Sequence, residues 1–171
     1  LDPRALATEL SGKNLIGGEL VPAADGKTFD VMNPATMEPI ANAPFSTTVD
    51  VDHAVRNAAT AQKAWAKMNP RDRGKLIAEC GRVLMERVEE MARLVALETG
   101  KAIRTESRVE ASVLADVFVY FGGLASELKG ESIPFNNDAL TVTIRQPIGV
   151  VGAIIPWNAP TELTTINEPL A

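Results

Sequence analysis

The chain has 171 residues, 46% of them apolar, and its 22 acidic and 17 basic side chains give a net charge of −5. Its mean hydropathy of +0.02 is typical of a globular chain, and the acidic balance without a Lys/Arg cluster argues against a nucleic-acid partner. No apolar run approaches the roughly 20 residues that span a bilayer, and the N-terminus lacks the hydrophobic core of a signal peptide. The single cysteine allows no internal disulfide. We therefore expect a cytoplasmic protein without a membrane partner.

Residues 1–48 alternate short apolar runs with turn residues, a pattern that predicts short strands and hairpins. The pair Asp25 and Gly26 lies between two such runs, residues 18–21 and residues 28–31. Because Asp-Gly supplies the left-handed backbone of a tight hairpin turn, the sequence predicts a hairpin closed at this pair.

Two amphipathic helices are predicted next. The first runs from Val49 to about residue 68, with Thr48 or Asp50 as its cap. Asn69 and Pro70 then supply a cap and a first helical residue for a long second helix that ends at Gly100. Cys80, the only thiol, falls on the apolar stripe of that helix, so we expect a buried structural residue rather than a nucleophile.

A third helix is predicted over about residues 104–128, and Gly122 and Gly123 within it indicate a close approach of another helix. Residues 140–146 then alternate apolar and polar side chains, the period of a strand with one wet face. Such a strand needs a partner, so we expect an edge that pairs with another part of the protein or with a second copy.

The apolar run at residues 148–155 has no polar alternation, which is typical of a strand buried on both faces of a parallel sheet. Pro156 ends this run, and Trp157 and Asn158 follow before Pro160. A loop at the carboxyl end of an open sheet is where α/β proteins bind ligands. The sequence therefore predicts a binding loop with an aromatic wall beside an amide donor.

Four segments of the chain, in register, resemble the aldehyde dehydrogenase superfamily. They are Leu97-Glu98-Thr99-Gly100-Lys101, the stretch at 120–134, Thr143-Ile144-Arg145-Gln146-Pro147, and the PIGVVGAIIPWNAP run at 147–160. The resemblance implies an α/β fold, the N-terminal part of the cofactor-binding (Rossmann-like) domain with an oligomerisation-sheet strand. It covers about the first third of a family member.

The resemblance also implies a division of the chain. Residues 1–128 would form the N-terminal part of the NAD(P)-binding domain, with a hairpin arm and three helices. Residues 129–147 would be an excursion into an oligomerisation strand. Residues 148–171 would supply the first strand of the nucleotide fold and the loop with the oxyanion asparagine, followed by the opening of a helix. Asn167, in that helix, stands where many members have a lysine, so no role of that lysine is carried over.

Site residues follow from the same resemblance. Asn158 would stabilise the oxyanion that forms when a thiol attacks an aldehyde; without the family, an asparagine between prolines is more often a turn former. The positions that would line the NAD(P) groove are Ile154, Ile155, Pro156 and Trp157, and plain sheet core is the alternative for the two isoleucines. A backbone carbonyl at Glu98 binds a monovalent cation in some members, but a helix end is favoured here, and no metal site is predicted.

The implied function is NAD(P)-dependent oxidation of a small-molecule aldehyde to a carboxylic acid, through a thiohemiacetal on a cysteine that residues 1–171 do not contain. The resemblance implies a homo-oligomer, a dimer or tetramer, with NAD or NADP as cofactor. Two alternatives stay open: a CoA-acylating relative, and a truncated, catalytically inactive assembly or binding module. We expect the 171 residues alone to be inactive.

Overall fold

The computed structural model describes residues 2–161. Residues 3–10 form helix α1, with Asp2 as its cap and Pro3 as its first residue, which corrects the expectation of only short strands and hairpins over residues 1–48. This helix is followed by two antiparallel hairpins, four further α-helices and a third hairpin. The elements are α1 (Pro3–Leu10), β1 (Lys13–Ile16), β2 (Glu19–Pro22), β3 (Thr28–Asn33), β4 (Glu38–Pro44), α2 (Thr48–Lys67), α3 (Pro70–Glu86), α4 (Val88–Thr99), α5 (Arg108–Leu124), β5 (Ser132–Asn136) and β6 (Ala139–Val142). The fold is α/β, as predicted, although all strand pairs within residues 2–161 are antiparallel.

The hairpin predicted at Asp25 and Gly26 is wrong. Strand β2 pairs backward with β1 across Gly17 and Gly18, whose φ angles of 64° and 84° suit a tight hairpin turn. The Asp25–Gly26 turn instead joins this hairpin to the next one, with the Gly26 N–H donating to the Ala23 carbonyl at 2.9 Å. Because two adjacent glycines adopt the positive φ angles that the earlier turn requires, β2 pairs with β1 and does not pair with β3 across Asp25.

Helix α2 confirms the first helical prediction to within a residue or two. Thr47 is its cap: the Val49 N–H donates to the Thr47 hydroxyl at 3.3 Å, and the Thr47 N–H donates to the Asp50 carboxylate at 2.8 Å. The other Asp50 oxygen accepts the Ala24 N–H at 2.8 Å. The predicted cap, Thr48 or Asp50, is therefore wrong: Asp50 lies in the first turn, where it completes the capping box of Thr47 and also ties the helix to the turn after β2.

The predicted long second helix is two helices. Asn69 and Pro70 begin α3 as predicted, and Gly100, at φ 75°, ends α4 in the left-handed conformation. Between them Arg87 leaves the helical conformation, at φ −113° and ψ 13°, and its guanidinium binds the Glu90 carboxylate at 2.7 and 3.0 Å. Because the helix breaks at a single residue, the apolar side chains of α3 and α4 keep a helical spacing in the sequence. The hydrophobic periodicity therefore did not predict the break.

Helix α5 packs closely on α3. A Cβ at Gly122 would lie 2.6 Å from the Gly74 carbonyl oxygen and 2.7 Å from the Ala78 nitrogen, whereas one at Gly123 would meet nothing. The predicted close approach therefore holds for Gly122 alone. A π-helical turn at Ile103–Ser107 precedes α5, so the helix begins later than predicted and ends at Leu124.

Cys80 is exposed on α3, so its predicted burial is wrong. The face of α3 against α5 carries Gly74, Ala78 and Gly81. Successive helical residues are about 100° apart around the axis, so Cys80 points away from the contact that Gly81 makes. The apolar stripe in the sequence is wider than the face that α5 covers.

Strand β6 stops at Val142, and its partner is β5 within the same hairpin. This hairpin exposes apolar side chains: Phe135 is 75% and Leu140 is 83% exposed. Residues 148–155 form no strand, and Ile148 and Ile154 are exposed, which corrects the expectation of a doubly buried strand. Strands exist through ladder hydrogen bonds, and nothing within residues 2–161 pairs with this run. None of the helices in that range is both long and apolar enough to cross a membrane.

Candidate functional site

An apolar groove of about 710 Å³ separates α2 from the run at 149–155. The α2 side is built from small and aromatic side chains near the helix end, and the facing side from alternate residues of the run. The principal lining residues are Ala58, Ala61, Trp65, Val151, Ala153 and Ile155. Gln62 is the one polar residue among all those that line the groove within the described chain, so the groove fits an apolar occupant.

The run at 149–155 has two apolar faces. Gly149, Val151, Ala153 and Ile155 line the groove, with Val150 beside them, whereas Ile154 is 98% exposed and faces away. Alternation of this kind is what an extended backbone produces. Each face therefore has apolar surface to offer a packing partner, although only one faces α2.

The predicted site residues follow one another at the end of this run, and they do not all face the groove. Ile155 is half-buried and lines the groove, while Ile154, Pro156 and Trp157 lie outside it. Trp157 is 59% exposed, and Asn158 beside it is also exposed. None of the side-chain hydrogen bonds within residues 2–161 involves Asn158, so its amide can donate to a ligand.

Thr161, which follows this loop, is held by a buried carboxylate. Glu110 on α5 is 4% exposed, and its Oε1 accepts the Thr161 N–H at 2.9 Å and the Thr161 hydroxyl at 2.7 Å. Lys101 pairs with its other oxygen. Burial raises the pKa of Glu110, but the hydrogen bonds from Lys101 and Thr161 outweigh burial and hold the pKa below its ordinary value.

Sequence reasoning missed Glu110 and Thr161. Glu110 lies four residues before Leu114, and the structure buries both on one face of α5. A carboxylate on such a face needs a partner. Thr161, 51 residues away in sequence, could not be identified as that partner before the loop was placed.

The remaining candidates form no ligand set. Glu98 is half-buried, and burial raises the pKa of its carboxyl. His53 is exposed, and Cys80 lines neither the groove nor the loop at 156–158. Across the described residues, no three His, Cys, Asp or Glu side chains cluster as a metal site would require. Asn167 and most of the helix predicted over 161–171 lie outside the described residues.

The side chains at 154–158 combine apolar groups, an aromatic ring and an amide. An aromatic ring, apolar side chains and an amide suit a ribose and a nicotinamide. The pyrophosphate would require cationic side chains or converging backbone N–H groups, and the groove-lining residues include no basic side chain. The groove lining therefore offers no cationic side chain to a pyrophosphate.

Comparison with known proteins gives the family. The sequence model of the aldehyde dehydrogenase family matches residues 20–170. The aldehyde dehydrogenase of Bacillus cereus, solved as a mutant and as an NAD+ complex, is 34% identical with a TM-score of 0.92, over 99% of this chain and 35% of its own. PnpE, solved with nicotinamide adenine dinucleotide, is 36% identical with a TM-score of 0.88, over 93% of this chain and 33% of its own.

A third solved structure, an NADP-dependent enzyme of E. coli, is 31% identical with a TM-score of 0.88, over 93% of this chain and 33% of its own. The chain spans about a third of the length of these relatives. The family match extends from the hairpins through α5 to the Trp157–Asn158 loop. This chain belongs to the aldehyde dehydrogenase family.

Proposed function

We propose that this chain supplies the oxyanion donor and part of the cofactor surface of an NAD(P)-dependent aldehyde dehydrogenase, which oxidises an aldehyde to a carboxylic acid. The observation that carries the proposal is the exposed Asn158 amide beside Trp157, at the end of an apolar run, in a chain of this family. Attack of a thiolate on an aldehyde places negative charge on the carbonyl oxygen. A fixed amide N–H at that oxygen stabilises the charge as it develops.

The cofactor surface in this proposal is Ile154, Ile155, Pro156 and Trp157. These residues would hold the ribose and nicotinamide of NAD or NADP through apolar contact, and relatives have been solved with NAD bound. When bound, the cofactor supplies the hydride acceptor for the oxidation. The phosphate contacts would come from parts of the protein that residues 2–161 do not include.

The nucleophile must also come from elsewhere. Cys80 is the only thiol of the chain, and it lies on α3 rather than at the loop with Asn158. We therefore propose that the 171 residues alone are inactive. In the complete protein, 1–128 would begin the NAD(P)-binding domain, 129–147 would leave it for subunit association, and 148–171 would join the nucleotide fold by pairing with strands from later in the polypeptide.

The test of the oxyanion role is the substitution Asn158→Ala in the complete enzyme. Loss of one oxyanion donor lowers kcat by roughly 10²- to 10³-fold. Asn158→Asp keeps the shape and removes both N–H donors, so it should lose activity as well. Asn57→Ala, at an exposed position of α2 outside the groove lining, is the matched control and should keep full kcat. Wild-type turnover in a folded Asn158→Ala enzyme would refute the assignment.

We further propose that the β5–β6 hairpin is a subunit contact of a homo-oligomer. Phe135, Leu140 and Ile144 are exposed on or next to an unpaired strand edge, which is a template for pairing with a second copy. Leu140→Lys should shift the oligomer towards monomer in light scattering, because a charge would be buried in the contact. Thr141→Lys introduces the same charge at the neighbouring residue of β6, whose side chain points to the other face, and is the control variant for the change in mass. An unchanged mass for Leu140→Lys would contradict the proposal.

A further inference from the structure

A buried ion-pair cluster connects the loop with Asn158 to the helical core. Its members are Glu110 at the start of α5, Lys101 just after α4, and Thr161 in the turn that follows the loop. One Glu110 oxygen takes both Thr161 donors, at 2.9 and 2.7 Å, and the other takes Lys101. No other carboxylate within residues 2–161 joins α5 to the 156–161 stretch by a side-chain hydrogen bond.

Burial makes this cluster sensitive to the loss of any partner. An ionised carboxylate away from water is stable only when its oxygens are hydrogen-bonded, and removing one partner of such a group is far more disruptive than removing an exposed pair. Glu110 is 4% exposed and has three donors, so its partners are constrained to one arrangement. Thr161 is therefore held at a defined position relative to α5.

Only three peptide steps separate Thr161 from Asn158. A chain of three residues spans at most about 10 Å, and Pro160, between them, has a restricted φ. Fixing Thr161 consequently limits the positions that the Asn158 amide can reach. A misplacement of about 1 Å in a catalytic group can reduce the rate by about 10²-fold.

We propose that Glu110 is a positioning residue: through Thr161 it fixes the Trp157–Asn158 loop so that the Asn158 amide meets the developing oxyanion. This inference rests on the proposed function of Asn158. The simpler alternative is that Glu110 only caps the helical turn at Thr161, a role that any carboxylate at a helix N-terminus can perform. A cap affects stability, whereas a positioning residue affects kcat through Asn158, and the two roles are separable.

The first experiment is a double-mutant cycle in the complete enzyme. Thr161→Val removes the hydroxyl that donates to Glu110 and keeps the shape; it should lower kcat by about 10-fold with little change in KM. Thr161→Ser restores the hydroxyl and should restore kcat. Thr60→Val, at an exposed helical threonine outside the groove lining, is the matched control.

The cycle is completed with Asn158→Ala. If Thr161 acts through Asn158, then Thr161→Val in the Asn158→Ala background should cost less than about 2-fold further, because the two effects are not independent. Fully additive losses would overturn the positioning role while leaving Asn158 in place. A folded Asn158→Ala enzyme with unchanged kcat would instead refute the proposed function.

The second experiment needs no activity. In the 171-residue chain with Trp65→Phe, Trp157 is the only tryptophan, so its fluorescence reports on the loop alone. Glu110→Gln should raise acrylamide quenching and lower the anisotropy of Trp157 at unchanged far-UV circular dichroism. Glu90→Gln is matched, because Glu90 is also a buried carboxylate with a basic partner, Arg87, and should leave both signals unchanged. Equal quenching and anisotropy in Glu110→Gln and Glu90→Gln would overturn the proposal. If Glu110→Gln does not fold, Thr161→Val takes its place in this comparison.

Discussion

Substitution of two adjacent glycines by alanine should have opposite effects on stability. In Gly122→Ala the new methyl would lie 2.6 Å from the Gly74 carbonyl oxygen, 2.7 Å from the Ala78 nitrogen and 2.9 Å from the Ala78 Cβ. Two of these atoms are backbone, so they cannot rotate away. Overpacking of this kind costs about 1 to 3 kcal/mol, and the gain in helix propensity of about 1 kcal/mol offsets only part of it.

The control is Gly123→Ala, whose methyl would meet nothing within 4 Å. It keeps the gain in helix propensity, up to about 1 kcal/mol, reduced by its position near the end of α5. For a net destabilisation of up to about 2 kcal/mol, Tm of Gly122→Ala should fall by up to about 8 °C, while Tm of Gly123→Ala should rise by up to about 4 °C.

Thermal and urea unfolding of the 171-residue chain, followed by circular dichroism at the helical band, measures both variants. The urea m-value checks that each unfolds as the parent does. The predicted order of stability is Gly123→Ala, parent, Gly122→Ala. A Gly122→Ala variant as stable as the Gly123→Ala variant would refute the close contact between α3 and α5.

Two further predictions concern Glu98 and Cys80. Burial raises the pKa of the Glu98 carboxyl in the folded chain, so the free energy of unfolding falls as pH rises through the raised pKa. Glu98→Gln should therefore be more stable than the parent at neutral pH and equal to it below the ordinary pKa of 4.5. Urea titrations in which the parent is the more stable at neutral pH would contradict this. Cys80 is exposed, so a water-soluble thiol reagent should label it in the native chain as fast as in urea, and labelling only after unfolding would show that α3 is covered on that side.

Local signals predicted the beginning of α3 and the end of α4. Asn69 with Pro70 begins α3, and Gly100 ends α4, because capping depends on a few adjacent residues whose backbone preferences do not require the rest of the fold. The four family segments follow one another in register between residues 97 and 160, so the Trp157–Asn158 loop could be singled out from the sequence alone.

Strand pairing and side-chain exposure could not be predicted from local sequence signals. Asp25 and Gly26 suit a hairpin turn as well as Gly17 and Gly18 do, and only the register of β1 with β2 decides between them. Cys80 lies on an apolar stripe that α5 covers in part. The run at 148–155 has the composition of a strand, but a strand also requires a neighbour to bond with.

The sequence by itself determined the family, the beginning of α3, the end of α4 and the position of Asn158 along the chain, since these depend on residue identity over short spans. Tertiary structure alone decided that Glu110 holds Thr161 across 51 residues, that Gly122 rather than Gly123 touches α3, and that Ile154 and Ile155 face opposite sides. Contacts between distant segments depend on where each backbone lies in space, and the energy of burying a carboxylate or a methyl group depends on that placement.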